Sequence, residues 1–273
     1  MIDLKNKLLF TYWTKSLDIN MWKFDVGVLN VILGESGHWK TEFAFFMAEK
    51  NIKAGNNLVY YNLEMSNKQL FVRKAKKRAG ITKEQRNDKT MSDNQKNIAI
   101  TEYNKYQNYT WIKDWNYTLD SIINDIYINV ENGVKLFFID NLWFIGNNNQ
   151  KMSEFDFVAD IIRKLKQCCN NWGVAINLLH HFSKWSDKER WRPRWIASIR
   201  ANGKIENDAD NIISIYRDYD DADNVTKVIH LKDRERWLYS STDLVFEKWE
   251  YFDTNCWTKE TKEIIMETED LPF

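Results

Sequence analysis

The stretch Val26–Thr41 constrains this chain more than any other. An apolar run, VGVLNVIL, ends in the turn GESGHWKT, and a helical pattern follows from Glu42. Strand, glycine-bearing turn, Lys-Thr and helix is the order that presents backbone N–H groups and a helix N-terminus to an anion. Lys40 is placed to reach the β- and γ-phosphates of a nucleotide and the Thr41 hydroxyl to hold Mg²⁺. The nucleotide-binding candidates are therefore Gly34, Glu35, Ser36, Gly37, His38, Trp39, Lys40 and Thr41. The pattern G-x-x-x-x-G-K-[ST] is met at every fixed position but one. Trp39 stands where the second glycine belongs, and glycine serves there because it lacks a Cβ.

Strands and helices alternate after this turn. Phe43, Ala44, Phe46, Met47 and Ala48 follow helical spacing to about Lys53 and read as a core face. Leu58–Leu63 is a strand-type run, with Glu64 at its end and a basic helix over 68–79. A carboxylate at the carboxyl end of a parallel strand stands where α/β proteins place ligands, so Glu64 is a catalytic candidate. Residues 80–108 are polar and read as helical. Leu119–Val130 predicts a helix, and Val134–Asp140 an apolar strand closing on Asp140. Downstream of a phosphate-binding turn, such an aspartate holds Mg²⁺.

The helix at 155–169 is amphipathic, and the strand Val174–Leu179 ends in His180 and His181. Two adjacent histidines share no helical face and make a poor metal site, but one at a strand end is placed to sense a γ-phosphate. The next segment carries Lys184, Lys188, Arg190, Arg192, Arg194 and Arg200 with Trp185, Trp191 and Trp195 interleaved. That composition suits single-stranded nucleic acid, with bases stacked and phosphates paired; a solvated surface loop is the plainer reading. A short acidic helix at 203–210 and strands at 211–217, 225–232 and 244–246 complete the pattern. With no helix between them, the last strands predict an antiparallel extension. The fold class expected is α/β, with a mostly parallel central sheet covered on both faces by helices.

Charge and cysteine usage narrow the setting. The 273 residues carry 39 basic and 39 acidic side chains, so any nucleic-acid surface must be local. Cys168, Cys169 and Cys256 form neither metal-ligand spacing nor a disulfide framework, which suits a reduced, cytoplasmic compartment. No signal peptide opens the chain, and no apolar run approaches the ~18 residues of a membrane span, so no membrane partner is expected.

Six segments, GESGHWKT, YYNLEMS, LFFID, LHHFSK, IRANGKIENDADNIISIYRD and LKDR, occur in an order that resembles the RecA-like ATPase domain of DnaB-type replicative hexameric helicases. The resemblance runs from about Trp13 to Phe252. It implies a domain over 1–253 with a short lead-in, a polar tail over 254–273, and no counterpart of the family's amino-terminal domain. It implies ATP and Mg²⁺ as cofactors and a homo-oligomer, a hexamer, around single-stranded DNA. A primase or a helicase loader would be the further partner, and the host cytoplasm the location if the chain is viral. Glu64 matches the family's general base, Asp140 its Mg²⁺-holding aspartate and His181 its γ-phosphate-sensing position. Lys184, Arg190, Arg192, Arg194 and Arg200 match the region facing DNA in the central channel. Lys232 and Arg234 match the lysine and arginine finger offered to a neighbouring subunit. An ATPase of recombination or regulation shares this core and stays open as a reading.

Composition holds one anomaly. The chain has 13 Trp and 9 Gly, where a typical share of about 7% would give about 19 glycines. Trp13, Trp22, Trp39 and Trp237 all stand where the family prefers glycine. Two readings follow. The tryptophans are UGA codons that the source reads as glycine, in which case a flexible Gly/Arg loop at 182–200 grips phosphates without stacking. Otherwise Trp39 is authentic and the chain is an inactive relative.

Overall fold

The computed structural model describes residues 9–10, 12, 14–20, 24–35, 37, 39–113, 117–146, 152–181, 203–217, 225–234, 240–247 and 250–254. A two-stranded lead-in, β1 (Leu9–Phe10) and β2 (Phe24–Asp25), brackets α1 (Lys15–Asn20). Then come β3 (Leu29–Gly34), α2 (Lys40–Lys53), β4 (Leu58–Asn62), α3 (Asn67–Arg78), α4 (Lys83–Asp88) and α5 (Asp93–Gln107). After them follow β5 (Ile112–Lys113), α6 (Leu119–Glu131), β6 (Leu136–Asp140), α7 (Glu154–Trp172) and β7 (Ala175–His181). The chain closes through α8 (Gly203–Asp208), β8 (Asn211–Arg217), β9 (Val225–Asp233), β10 (Ser240–Glu247) and β11 (Glu250–Asp253).

The main sheet has the order β11-β10-β9-β8-β3-β7-β6-β4-β5. From β8 to β5 the strands run parallel, and from β8 to β11 they alternate. The expected antiparallel extension is present. It has one strand more than the sequence pattern predicts, because Glu250–Asp253 folds back on Leu244–Glu247. Every residue of β3, β4 and β6 is buried, as strands covered on both faces must be. The pleat divides them: Ile32 joins the core under α2, α3 and α5, while Val31 and Leu33 join the core under α6, α7 and α8.

Caps explain where the polar middle of the chain breaks into helices. Ser66/Gln69, Thr82/Gln85 and Ser92/Gln95 each form a capping box, satisfying two orphan donors at the starts of α3, α4 and α5. Three amides inside the sheet pair with one another. Asn211 donates to Asn30 at 2.8 Å, and Asn30 donates to Asn177 at 3.0 Å, an amide ladder across β8, β3 and β7. Cys168 and Cys169 are buried free thiols in α7. Among the described residues no helix is long and apolar enough to cross a membrane.

One buried charge ties the first two long helices together. Glu42, one residue past the Lys-Thr pair, is fully buried. It receives Arg73 at 2.8 Å, Lys77 at 3.1 Å and the ammonium of Lys74, all from α3. Burial alone would raise its pKa, but the three cations outweigh burial and hold the carboxyl well below the ordinary 4.5. Glu42→Gln strands Lys74, itself buried, without its counter-charge. The expected loss at pH 7 is about 3–5 kcal/mol in denaturant unfolding. Because the folded pKa is depressed, the stabilisation is complete above pH 4.5 and is lost as pH falls below it. The gap between wild type and variant should therefore narrow in acid; equal stability at pH 7 would refute the coupling.

Candidate active site at the carboxyl ends of the parallel strands

The chain leaves β3 at Gly34 and enters α2 at Lys40, so the turn lies at the carboxyl edge of the parallel sheet. Gly34 is needed for close packing. A Cβ there would stand 2.9 Å from the Ile215 carbonyl oxygen and 2.9 Å from Lys40 Cγ. Gly37 has φ 89°, a conformation glycine adopts freely. Trp39 has φ 62° and ψ 26°, the left-handed region, and offers no side-chain cap to α2. For a bulky residue that conformation costs about 1–3 kcal/mol. Its indole packs against Phe246, ring centroids 4.4 Å apart, with the Arg217 guanidinium 3.5 Å from its centroid. Ser36 and His38 lie outside the described residues.

Lys40 is buried. Its ammonium donates to the Glu35 carbonyl at 2.8 Å and lies 3.1 Å from His181 Nδ1. Burial lowers its pKa to about 8, against the opposing pull of Asp140, Glu64 and Glu35. Burial, and then the Lys40 charge, lower the His181 pKa to about 4, so the imidazole is neutral at pH 7. Here the two histidines separate: His180 is buried against Trp143, whereas His181 is partly open and faces Lys40.

Asp140 closes β6 beside the turn. Its Oδ2 accepts the Tyr60 hydroxyl at 2.8 Å, while Oδ1 is buried without a hydrogen-bond partner. Burial raises its pKa to about 6; the nearby Thr41 hydroxyl and Tyr60 pull the other way. An orphaned buried carboxylate oxygen beside the Lys-Thr pair fits a hydrated divalent cation, for which an oxygen ligand is appropriate. Among the described residues no cluster of three or more His, Cys, Asp or Glu side chains forms an all-protein metal site. A cation here would thus rest on Thr41, Asp140 and phosphate oxygens.

Glu64, two residues past the end of β4, is exposed at the same edge. It is joined to the others through Asn141, a residue that the sequence pattern does not single out. Asn141 Nδ2 donates to Glu64 Oε2 at 3.0 Å and lies 3.0 Å from His181 Nε2. Lys40, His181, Asn141 and Glu64 therefore form one continuous chain of contacts. The signal that could have found Asn141 is its position just beyond a parallel strand's carboxyl end.

Lys232 and Arg234 lie elsewhere. Lys232 pairs with Ile212 and Asp233 with Asn211, which are level with Val31 and Asn30. That is the edge of the sheet away from the turn, roughly 10–15 Å back along β3 at about 3.3 Å per residue. Both side chains donate to carbonyls at the end of α8: Lys232 to Glu206 and, at 2.8 Å, to Ala209; Arg234 to Asn207. Arg234 also pairs with Asp210 at 3.3 Å. Lys184, Arg190, Arg192, Arg194 and Arg200 lie outside the described residues, as do Trp13, Trp22 and Trp237.

Comparison with known proteins gives the chain's family and fold. The family model of the DnaB-like helicase C terminal domain matches residues 12–250, and the chain belongs to that family. Among curated proteins, the replicative DNA helicase DnaB of Geobacillus stearothermophilus is 26% identical over 208 residues, covering 71% of this chain and 45% of that protein. The replicative DNA helicase DnaC of Bacillus subtilis (strain 168) is 30% identical over 110 residues, covering 38% of this chain and 24% of that protein. The chain thus spans less than half the length of either relative. Among solved structures, one ATPase domain superposes with a TM-score of 0.76 at 18% identity, covering 89% of this chain and 90% of that one. A DnaB-like replicative helicase studied with primase gives 0.75 at 21% identity, covering 89% and 62%. At those identities the likeness is one of fold: the sheet and its helices are RecA-like.

Gly34→Ala tests the packing of the turn. Its Cβ meets backbone, which cannot swing aside, and the stem of Lys40. Stability should fall by about 1–3 kcal/mol in denaturant unfolding. Nucleotide affinity should fall with it, because the ammonium is displaced. Unchanged binding of a fluorescent ATP analogue would show that the close approach is not needed.

Proposed function

We propose that this member of the family is an ATP-dependent replicative DNA helicase, a single-strand translocase that works as a ring with its ATP sites between subunits. The observation that carries the reading is the single cluster of Lys40, Thr41, Asp140, His181 and Glu64 at one sheet edge, with Lys232 and Arg234 held at the other. Lys40 and the backbone of the turn grip the phosphates, and Thr41 with Asp140 holds Mg²⁺, which supplies charge neutralisation when bound. Glu64 takes a proton from water attacking in line on the γ-phosphoryl group. His181 reads the γ-phosphate. Lys232 and Arg234 serve the site of an adjoining copy and stabilise charge that develops there. A hexamer around single-stranded DNA is the expected assembly, with Lys184, Arg190, Arg192, Arg194 and Arg200 the expected contacts to its phosphates. A primase or a loader is the expected macromolecular partner, and the cytoplasm the expected setting.

Trp39 favours a second reading. A left-handed tryptophan at the turn, its ring beside Arg217, suits a ring protein that no longer hydrolyses ATP. The first reading requires glycine there, encoded by UGA. A UGG codon would remove the recoding, and hydrolysis by the chain as written would remove the inactive reading.

Glu64→Gln should keep ATP binding and lose turnover by about 10²–10⁴-fold, measured by phosphate release with Trp39→Gly as the parent chain. Undiminished turnover would remove Glu64 from the mechanism. Unwinding of a forked DNA substrate separates a helicase from a recombination or regulatory ATPase built on the same core.

A further inference from the structure

The contacts of His181 contain a conflict. Its Nδ1 lies 3.1 Å from the Lys40 ammonium, and its Nε2 lies 3.0 Å from the Asn141 amide nitrogen. Both neighbours only donate, whereas a neutral imidazole accepts at one nitrogen and donates from the other. His181 can accept from one of them at a time. The Asn141 amide is not free to turn and resolve this. Its Oδ1 accepts the Trp143 N–H at 3.0 Å, and its Nδ2 donates to Glu64 Oε2 at 3.0 Å. Reversal would set N–H against N–H and oxygen against carboxylate. The side chain is also fully buried, so water does not compensate. Lys40 is the partner with somewhere else to go: it sits on a flexible stem and already donates to the Glu35 carbonyl.

We propose that Asn141 is a positioning residue for hydrolysis, fixing the tautomer of His181 and the place of Glu64 together. Once Lys40 turns to phosphate, Asn141, at Nε2, is the one remaining donor to the ring among the described residues. The ring proton is then held on Nδ1, on the side Lys40 has left. The other N–H of the same amide holds the Glu64 carboxylate. One buried side chain thereby sets the spacing between the group that senses phosphate and the group that takes the proton from water. The inference rests on the roles given to Glu64 and His181 above.

The test reads the tautomer directly, without nucleotide. The full chain is labelled with ¹⁵N-histidine, and its four histidines are assigned by single substitution. In Lys40→Ala the competing donor is gone, and His181 should carry its proton on Nδ1. Adding Asn141→Leu should move the proton to Nε2, the tautomer free histidine prefers. Adding Asn141→Asp should do the same, because a carboxylate accepts from Nε2–H. Should the leucine variant fail to fold, the near-isosteric aspartate decides alone. A proton that stays on Nδ1 in the folded variants overturns the proposal.

With Lys40 intact and Trp39→Gly as the parent chain, Asn141→Leu and Asn141→Asp should lower kcat for ATP with Mg²⁺ by about 10- to 100-fold with KM little changed. A rise in KM with kcat unchanged would overturn it. Glu64→Gln run in parallel keeps the outcomes apart. If that variant loses turnover while the Asn141 variants keep it, positioning fails and the base survives. If Glu64→Gln keeps turnover, the base assignment fails whatever Asn141 does.

Discussion

A single buried ammonium governs the top of this sheet. Lys40 has little exposure, and among the described residues its contacts are a carbonyl and a neutral imidazole. The carboxylates of Asp140, Glu64 and Glu35 act on it only through their field. A desolvated charge held by neutral groups is costly unless an anion completes it. On the proposed reading phosphate oxygens are that complement, met by the Lys40 ammonium and the N-terminus of α2, while the unpartnered Asp140 oxygen is left for the cation. The conflict at His181 has the same origin, since Lys40 crowds the ring that Asn141 also addresses.

On the proposed reading, sheet direction makes the other half of the site intermolecular. Strands β3, β7, β6 and β4 deliver the turn, His181, Asp140 and Glu64 to one edge, because parallel strands end on the same side. Strand β9 runs the other way, so its end carries Lys232 and Arg234 to the opposite edge. There the carbonyls of α8, the negative end of a short helix, hold both cations and Asp210 pairs with Arg234. Within one chain the two groups cannot meet without dismantling the sheet. In the proposed ring each such edge meets a neighbour's turn.

The legible parts of the sequence are those whose signal is local. LNVILG, LVYYN and LFFID are largely apolar runs, and buried parallel strands look like that whatever surrounds them. The amphipathic helix before Gly173 is equally plain. Strand β5 has two residues, too short for any period, and no strong breaker in the sequence announces β11. The three capping boxes stand in the sequence as Ser or Thr three residues before Gln, but they lie in a polar stretch with no apolar period to direct attention to them. Glu42 and Asn141 escape for a different reason. Each acts through partners far along the chain, α3 for one and Glu64 with His181 for the other. A lone Glu at a helix start or Asn after a strand carries no mark of that. Trp39 is legible as a misfit, and its left-handed backbone is the physical form of the misfit.

The measurement that bears most directly on the shared site is subunit mixing. With Trp39→Gly as the parent chain, Lys40→Ala and Arg234→Ala variants are each assayed for DNA-stimulated ATP hydrolysis, then combined and reassembled in varying ratio. Neither variant should turn over ATP alone, and mixtures should recover activity, because some interfaces then join an intact turn to an intact Arg234. Full turnover by Arg234→Ala alone, or mixtures no more active than the sum of their parts, would contradict a site completed by a second copy.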